Sequence, residues 1–260
     1  MNQPDAKQSL GGTNTSWQPV SKWYTKLVGD KGQYYHQHVV IPGVLRLLNL
    51  RVESKLLDIA CGQGILARSL PQNIEYAGFD IAPDLIATAK KLDRSPKHTY
   101  YIADATKQFP VGDRVFTHAA IILAVQNIED PDMLIEQTAK HLESNGVFVL
   151  VLNHPAFRIP RQSSWGIDEA SKLQYRKVNR YLSPLKIPIT MHPGQKKSEL
   201  TWSFHNPISY YIKLLASHGF VIDVMEEWAS DKESVGKASK MENRSRAEIP
   251  LFLAIRARKA

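Results

Sequence analysis

Nine residues constrain this 260-residue chain more than any others: the run Leu56-Leu57-Asp58-Ile59-Ala60-Cys61-Gly62-Gln63-Gly64. An apolar stretch ends in an acid, passes through small residues and two glycines, and runs into the helix-like Ile65-Leu66-Ala67-Arg68-Ser69-Leu70. The pattern predicts a buried strand, a tight turn and a helix N-terminus. Glycine accepts φ > 0 and lets another molecule approach the backbone, while a helix start offers unpaired N–H groups. A turn of this kind suits a nucleotide-like ligand.

The turn alone leaves two readings open, because Gly62-Gln63-Gly64-Ile65-Leu66-Ala67 also fits the dinucleotide fingerprint G-x-G-x-x-G/A. The next two strands narrow the choice. Glu75 to Asp80 reads as a second strand closing on a carboxylate, 80 − 64 = 16 positions after the second glycine. A carboxylate there is placed to accept both hydroxyls of an adenosine ribose. Tyr100-Tyr101-Ile102-Ala103-Asp104-Ala105 reads as a third strand, again closing on an acid. Three consecutive strands thus deliver an Asp to one edge of a parallel sheet, the edge where open α/β folds bind ligands.

At these residues the sequence resembles the class I S-adenosylmethionine-dependent methyltransferases, type 11/25-like. Asp58 to Gly64 looks like their first motif, Asp80 like the ribose-binding acid, and Asp104 like the acid that meets the adenine amino group. Phe116 to Ile128 looks like the fourth strand and its turn. The likeness covers residues 53–153 well and the remainder to 260 more loosely. Ala60 stands at the first glycine of the motif, a small-for-small change expected to cost little, and Thr117 stands where an acid is common. The resemblance implies a Rossmann-like, doubly wound, mostly parallel seven-stranded sheet whose last two strands are antiparallel. It also implies S-adenosylmethionine as cofactor, with S-adenosylhomocysteine as product. The implied cofactor contacts are Asp58, Ala60, Gly62, Gly64, Asp80, Ile81, Asp104, Ala105 and Ile122. A NAD-binding oxidoreductase is the alternative, although its fingerprint normally opens the chain and does not need an acid at 104.

Composition bounds the function class. A hydrophobic fraction of 43% and a charged fraction of 22% are ordinary for a soluble globule. One cysteine excludes an internal disulfide and fits a reducing cytoplasm. Cys61 itself reads as a small residue where nothing larger fits. Met1 to Gln8 lacks the apolar core of a signal peptide and no apolar run approaches a membrane span, so a cytoplasmic protein with no membrane partner is expected. The net charge of +8 raises RNA as an alternative acceptor. Much of that surplus lies between Asp231 and Ala260, without a C-x-x-C knuckle or an added module, and reads as a solvated face.

Residues 1–16 are polar and expected to be disordered. Residues 17–260 read as one domain, with a helical cap over 17–50 that carries Trp17, Trp23, Tyr24, Tyr34 and Tyr35. Leu85, Ala89 and Leu92 follow Pro83 at helical spacing, as Ile135, Ala139 and Leu142 follow Pro131. Gly146 is placed to end the second of these helices, Asn206 to cap a third, and Gly219 to close it. Residues 237–246 read as a polar loop. After strand five the chain spends about fifty residues before Asn206, with aromatic residues among Pro160, Pro184, Pro188 and Pro193. The segment 157–205 is therefore expected to be a substrate lid, favouring a small, partly apolar or aromatic acceptor over a phosphate backbone.

A methyl donor of this kind is already electrophilic, so alignment and exclusion of water carry most of the catalysis. A base is needed only where the acceptor must lose a proton. His154, at the end of strand five, is the candidate base; Gln126 and Asn127 come second as orienting groups, and His36 third. His118 reads as core, His141 as helical and His98 as loop. No H-E-x-x-H or acid cluster is visible, and no metal is expected.

Overall fold

The computed structural model describes residues 15–190 and 200–260. The expected tail at 1–16 lies almost wholly outside these residues. The chain opens with a short turn at Gln18–Val20, helix α1 (Ser21–Val28), and a π-turn at His36–Val40 running into α2 (Ile41–Leu48). Next come β1 (Lys55–Ile59), β2 (Glu75–Asp80), α3 (Pro83–Leu92), β3 (His98–Ile102), β4 (Phe116–Ile122), α4 (Asp132–His141) and β5 (Leu142–Asn153). The insertion forms β6 (Ser163–Asp168), β7 (Leu173–Val178), β8 (Leu185–Thr190) and β9 (Leu200–His205). The domain closes with α5 (Ile208–Ser217), β10 (Phe220–Trp228), α6 (Ser239–Glu248) and β11 (Phe252–Lys259).

Seven strands form one sheet in the order β10-β11-β5-β4-β1-β2-β3. β1 to β5 pair in parallel, and β11 lies antiparallel between β5 and β10. Strand order reverses between β1 and β4, so the carboxyl ends of these two strands open a crevice there. Alternation along each strand feeds two cores. Leu57 and Ile59 join Leu253, Ile255 and the α4 and α5 residues Leu134, Ile135 and Leu215 on one face. Leu56 joins Ala254 and the α2 and α3 residues Val44, Leu47, Ile86 and Ala89 on the other. Both faces are covered, as a parallel sheet requires. Among the described residues no helix is long and apolar enough to cross a membrane.

Several local expectations are corrected. Residues 65–70 form turns and a single 3-10 turn at Ala67–Ser69, not a helix. The Gln63 carbonyl, which a helix would give to the Ala67 amide, is taken by the Arg68 guanidinium. Residues 239–248 are helical, not a loop: Arg246 pairs with Glu242 one turn away, and the Ser245 hydroxyl binds Gln174 of β7. Gly146 does not end α4. That helix stops at His141, β5 starts at once, and Asn145 takes the left-handed conformation at φ 64°. Asn206 makes no capping bond to α5, whose N-cap is Pro207. His98 lies in β3 rather than a loop, with its ring 2.6 Å from the Asp93 carboxylate.

The insertion folds into two antiparallel ribbons, β6–β7 and β8–β9. Its proline-stiffened, aromatic stretch is thus ordered over the described residues; Met191 and Pro193 fall outside them.

Candidate functional site

The site grows from the end of β1. Ala60, Gly62 and Gly64 all have positive φ, at 55°, 56° and 74°. Three left-handed residues in five reverse the chain tightly and turn its backbone toward the crevice. A Cβ on Gly62 would meet no heavy atom within 4 Å, so the space above it is free for a ligand. At Gly64 the Tyr100 hydroxyl lies 3.0 Å from where a Cβ would be, and only glycine fits comfortably. Ala60 corrects one expectation: an L-residue in this region costs about 1–2 kcal/mol, so its replacement of glycine is not free.

Asp80 ties the turn to the next element. One carboxylate oxygen accepts from the Gly62 amide at 2.9 Å, and the other accepts from the Ala82 amide at 2.9 Å, at the start of α3. Burial raises its pKa while these amides oppose the rise. The carboxylate is held rigidly, and each oxygen keeps further acceptor capacity. Beside it Ile81 is 45% exposed, and Ile102, paired with Asp80 across the sheet, is 58% exposed. Apolar side chains left open on both sides of a fixed carboxylate suit a purine and its ribose. Asp104, after β3, is half-buried and ordered by Thr106, whose amide and hydroxyl both reach its Oδ1 at 2.8 Å. Ala105 is buried behind it, and Ile122 lies half-buried at the end of β4.

Asp58 lies beneath the turn. It is buried, accepts from the Tyr76 hydroxyl at 2.7 Å, and burial pushes its pKa up to about 7. Cys61 is likewise no nucleophile, because burial drives its thiol well above the usual range. Thr117 does not face this edge; its hydroxyl accepts from the Lys55 amide at 2.9 Å, at the start of β1.

The N-terminal segment covers the turn. Gln63 donates to the Gly29 carbonyl at 2.6 Å, Arg68 to the Asp30 carbonyl at 3.0 Å, and Ser21 to Asp84 at 2.7 Å. Tyr24 of α1 is brought close enough to Asp80 to feel its charge, and burial first, then that charge, push its hydroxyl up to about 12. Tyr24 is a site residue whose role the sequence did not single out. The visible signal was only a cluster of aromatics at 17–35.

The candidate histidines are held by local partners. His154 is 1% exposed, its Nδ1 accepts from the Ala156 amide at 3.2 Å, and its Nε2 lies 2.7 Å from the Glu227 carboxylate. With Nδ1 accepting, Nε2 carries the proton and donates to Glu227, so neither nitrogen is left to receive one from an acceptor. In this arrangement His154 ties β5 to β10. His36 is largely buried and accepts from the Gln33 amide at 3.2 Å, and burial lowers its pKa. His118 is held neutral the same way, down to about 4.

Gln126, in the short turn after β4, lines a small cavity. Its Nε2 donates to the Leu123 carbonyl at 2.7 Å, and its Oε1 is buried without a donor among the described residues. Leu123 itself sits at φ 56°, a strained position for a branched side chain, at the carboxyl end of β4. Asn127 closes the same short turn. Among the described residues no group of three or more His, Cys, Asp or Glu side chains is gathered to hold a metal.

This fold and this crevice define a class. Residues 57–150 match the family described as "Methyltransferase domain", a match that agrees with the resemblance of the sequence to the class I, S-adenosylmethionine-dependent methyltransferases. Among characterised proteins it is 29% identical over 133 residues to the ubiquinone biosynthesis O-methyltransferase of Hydrogenovibrio crunogenus, covering 48% of this chain and 54% of that one. It is 21% identical over 155 residues to the demethylmenaquinone methyltransferase of Staphylococcus haemolyticus, covering 57% and 64%. The chain thus spans between half and two thirds of these relatives' length. In three dimensions it is similar to an S-adenosylmethionine-dependent methyltransferase of Mesorhizobium loti, with TM-score 0.67 and 24% identity over 84% of this chain and 96% of that one. That likeness carries the fold.

Proposed function

We propose that this chain transfers a methyl group from S-adenosylmethionine to a small-molecule acceptor. The observation that carries the reading is Asp80, fixed by the Gly62 and Ala82 amides and flanked by open apolar side chains. In this reading Asp80 accepts the ribose hydroxyls, Asp104 accepts from the adenine amino group, and Ile81 and Ala105 line the purine. The Gly62–Gly64 backbone and Ile122 border the rest of the donor. Asp58 acts through Tyr76 and the turn, as a positioning residue. Bound S-adenosylmethionine supplies an activated methyl on a sulfonium, so the protein's own task is alignment and the exclusion of water. In this reading the N-terminal segment, pinned through Gln63 and Arg68, closes one side, and the two ribbons of the insertion close the other. Gln126 and Asn127 orient the acceptor. We assign no protein base, because His154 is occupied.

A small molecule is favoured over RNA because part of the late basic surplus is used locally. Arg256 and Arg258 both pair with Asp223, and Arg246 pairs with Glu242. We place the reaction in the cytoplasm, on the reading of the single half-buried Cys61 as a reduced thiol. The test is incubation of purified protein with S-adenosylmethionine and a panel of phenols, hydroxy acids and amines, read by mass spectrometry. A product heavier by one methylene, lost in Asp80→Ala while the fold persists, supports the reading. Turnover undiminished in Asp80→Ala would remove Asp80 from the site.

A further inference from the structure

Just past the carboxyl end of β5 stands a cation that no acid among the described residues meets. Arg158 lies just past the strand and is half-buried, with its guanidinium 5.5 Å from the centre of the Phe252 ring. Burial and the neighbouring Arg176 both disfavour its charge, the Tyr35 hydroxyl opposes them, and no carboxylate among the described residues contributes. The acid at this end of β10, Glu227, is taken by His154. A cation withdrawn from water without a counterion costs free energy that a ligand's anion would return.

Arg158 lines a cavity of about 30 Å³ together with Gln126, Asn153, Ser203, His205 and Tyr211, and none of its described lining residues is Asp or Glu. His205 adds no positive charge there, since burial lowers its pKa. Gln126 adds a second demand. Its amide orientation is set by the bond to the Leu123 carbonyl, which leaves the buried Oε1 as an acceptor awaiting a donor. The volume suits a small polar group and excludes a ring. Past Arg158 stands the half-buried Tyr35, whose ring meets the buried Phe252 edge to face at 5.8 Å.

We propose that Arg158 anchors an anionic group of the methyl acceptor, so that the substrate class is a small, partly apolar organic acid carrying a hydroxyl or N–H that Gln126 receives. The inference rests on the methyltransferase reading and deepens it. The anion enters the cavity between Arg158 and Ser203, and the apolar body lies against Tyr35. An Arg–carboxylate bond is charge-assisted, and its loss is read most clearly as a lost preference for charge.

The test uses benzoate and its uncharged isostere benzamide, titrated calorimetrically at fixed ionic strength into the full chain saturated with S-adenosylhomocysteine. Wild type, Arg158→Met and Arg158→Lys are compared. Methionine keeps the stem over Phe252, and lysine keeps the charge but loses the fork. Wild type is expected to prefer benzoate by about tenfold or more, with the preference gone in Arg158→Met and partly kept in Arg158→Lys. Equal affinity for the two probes, no binding of benzoate at all, or a preference that survives Arg158→Met would overturn the proposal. Binding of S-adenosylhomocysteine to wild type and Arg158→Met is measured first. If it is absent from wild type the methyltransferase reading fails, whereas its persistence alongside indifference to charge sinks only the role of Arg158.

Discussion

Replacing Asp58 by asparagine should stabilise the protein, and more so as pH rises. Asp58 is buried beneath the glycine turn, and burial outweighs the Tyr76 hydrogen bond, lifting the folded pKa from 3.8 to about 7. The folded state therefore holds this proton more tightly than the unfolded chain does. Below the unfolded value both states are protonated and nothing is lost. Between that value and about 7 the unfolded chain ionises first, and stability falls with each pH unit until the folded carboxyl ionises as well. The full span corresponds to roughly 4 kcal/mol, of which about 2–3 kcal/mol accrues between pH 5 and pH 8. Asparagine keeps an acceptor for Tyr76 and does not ionise. Other carboxylates, such as Asp223 between its two arginines, titrate alike in both proteins and cancel in the difference. Urea unfolding of wild type and Asp58→Asn at pH 5, 6, 7 and 8 measures the gap. It should widen in favour of the variant by about 2–3 kcal/mol across that range. A gap independent of pH, or one that narrows, would show that Asp58 is ionised at neutral pH in the fold and that its environment has been misjudged.

His154→Gln should cost about 1–3 kcal/mol of stability, through the buried bonds to Glu227 and the Ala156 amide, yet leave the pH profile of methyl transfer in place. Loss of a basic limb from that profile would restore His154 as a base. Gly62→Val should lose about 1–2 kcal/mol from backbone strain alone, since nothing in the protein lies within 4 Å of the new Cβ. Its affinity for S-adenosylhomocysteine should fall far more steeply than its stability, and an unchanged affinity would place the ligand elsewhere. Ala60→Gly relieves a left-handed alanine at φ 55° but gives the unfolded chain more freedom, worth about 0.5–1 kcal/mol. The net gain should stay below about 1 kcal/mol by denaturant titration, and a marked loss would refute the strain argument.

The parts of the site legible in the sequence are those built from contiguous residues. A strand, a glycine turn and the acids at 80 and 104 announce themselves because strand ends and turns are local, and a parallel sheet then brings its strand ends to one edge without further information. The order of the last two strands came from the resemblance, not from composition. What was illegible depends on distant partners. His154 looked available because Glu227, 73 residues later, cannot be seen from strand five. Tyr24 lies within reach of the Asp80 charge on a segment that Ser21 and Gln18 bind to the start of α3. The short turn after Gly64 results from one Arg68 side chain competing for a carbonyl. Helix α6 has no apolar stripe to give a period, and its support is an ion pair and a serine hydrogen bond.

The measurement closest to the central claim is a calorimetric titration of the purified chain with S-adenosylhomocysteine, with NAD as control. The account predicts one site with micromolar affinity for the former, none for the latter, and loss of that site in Asp80→Ala. Binding of NAD without S-adenosylhomocysteine would mean that the turn at Gly62–Gly64 and the carboxylate of Asp80 serve a different nucleotide, and would contradict the account at its base.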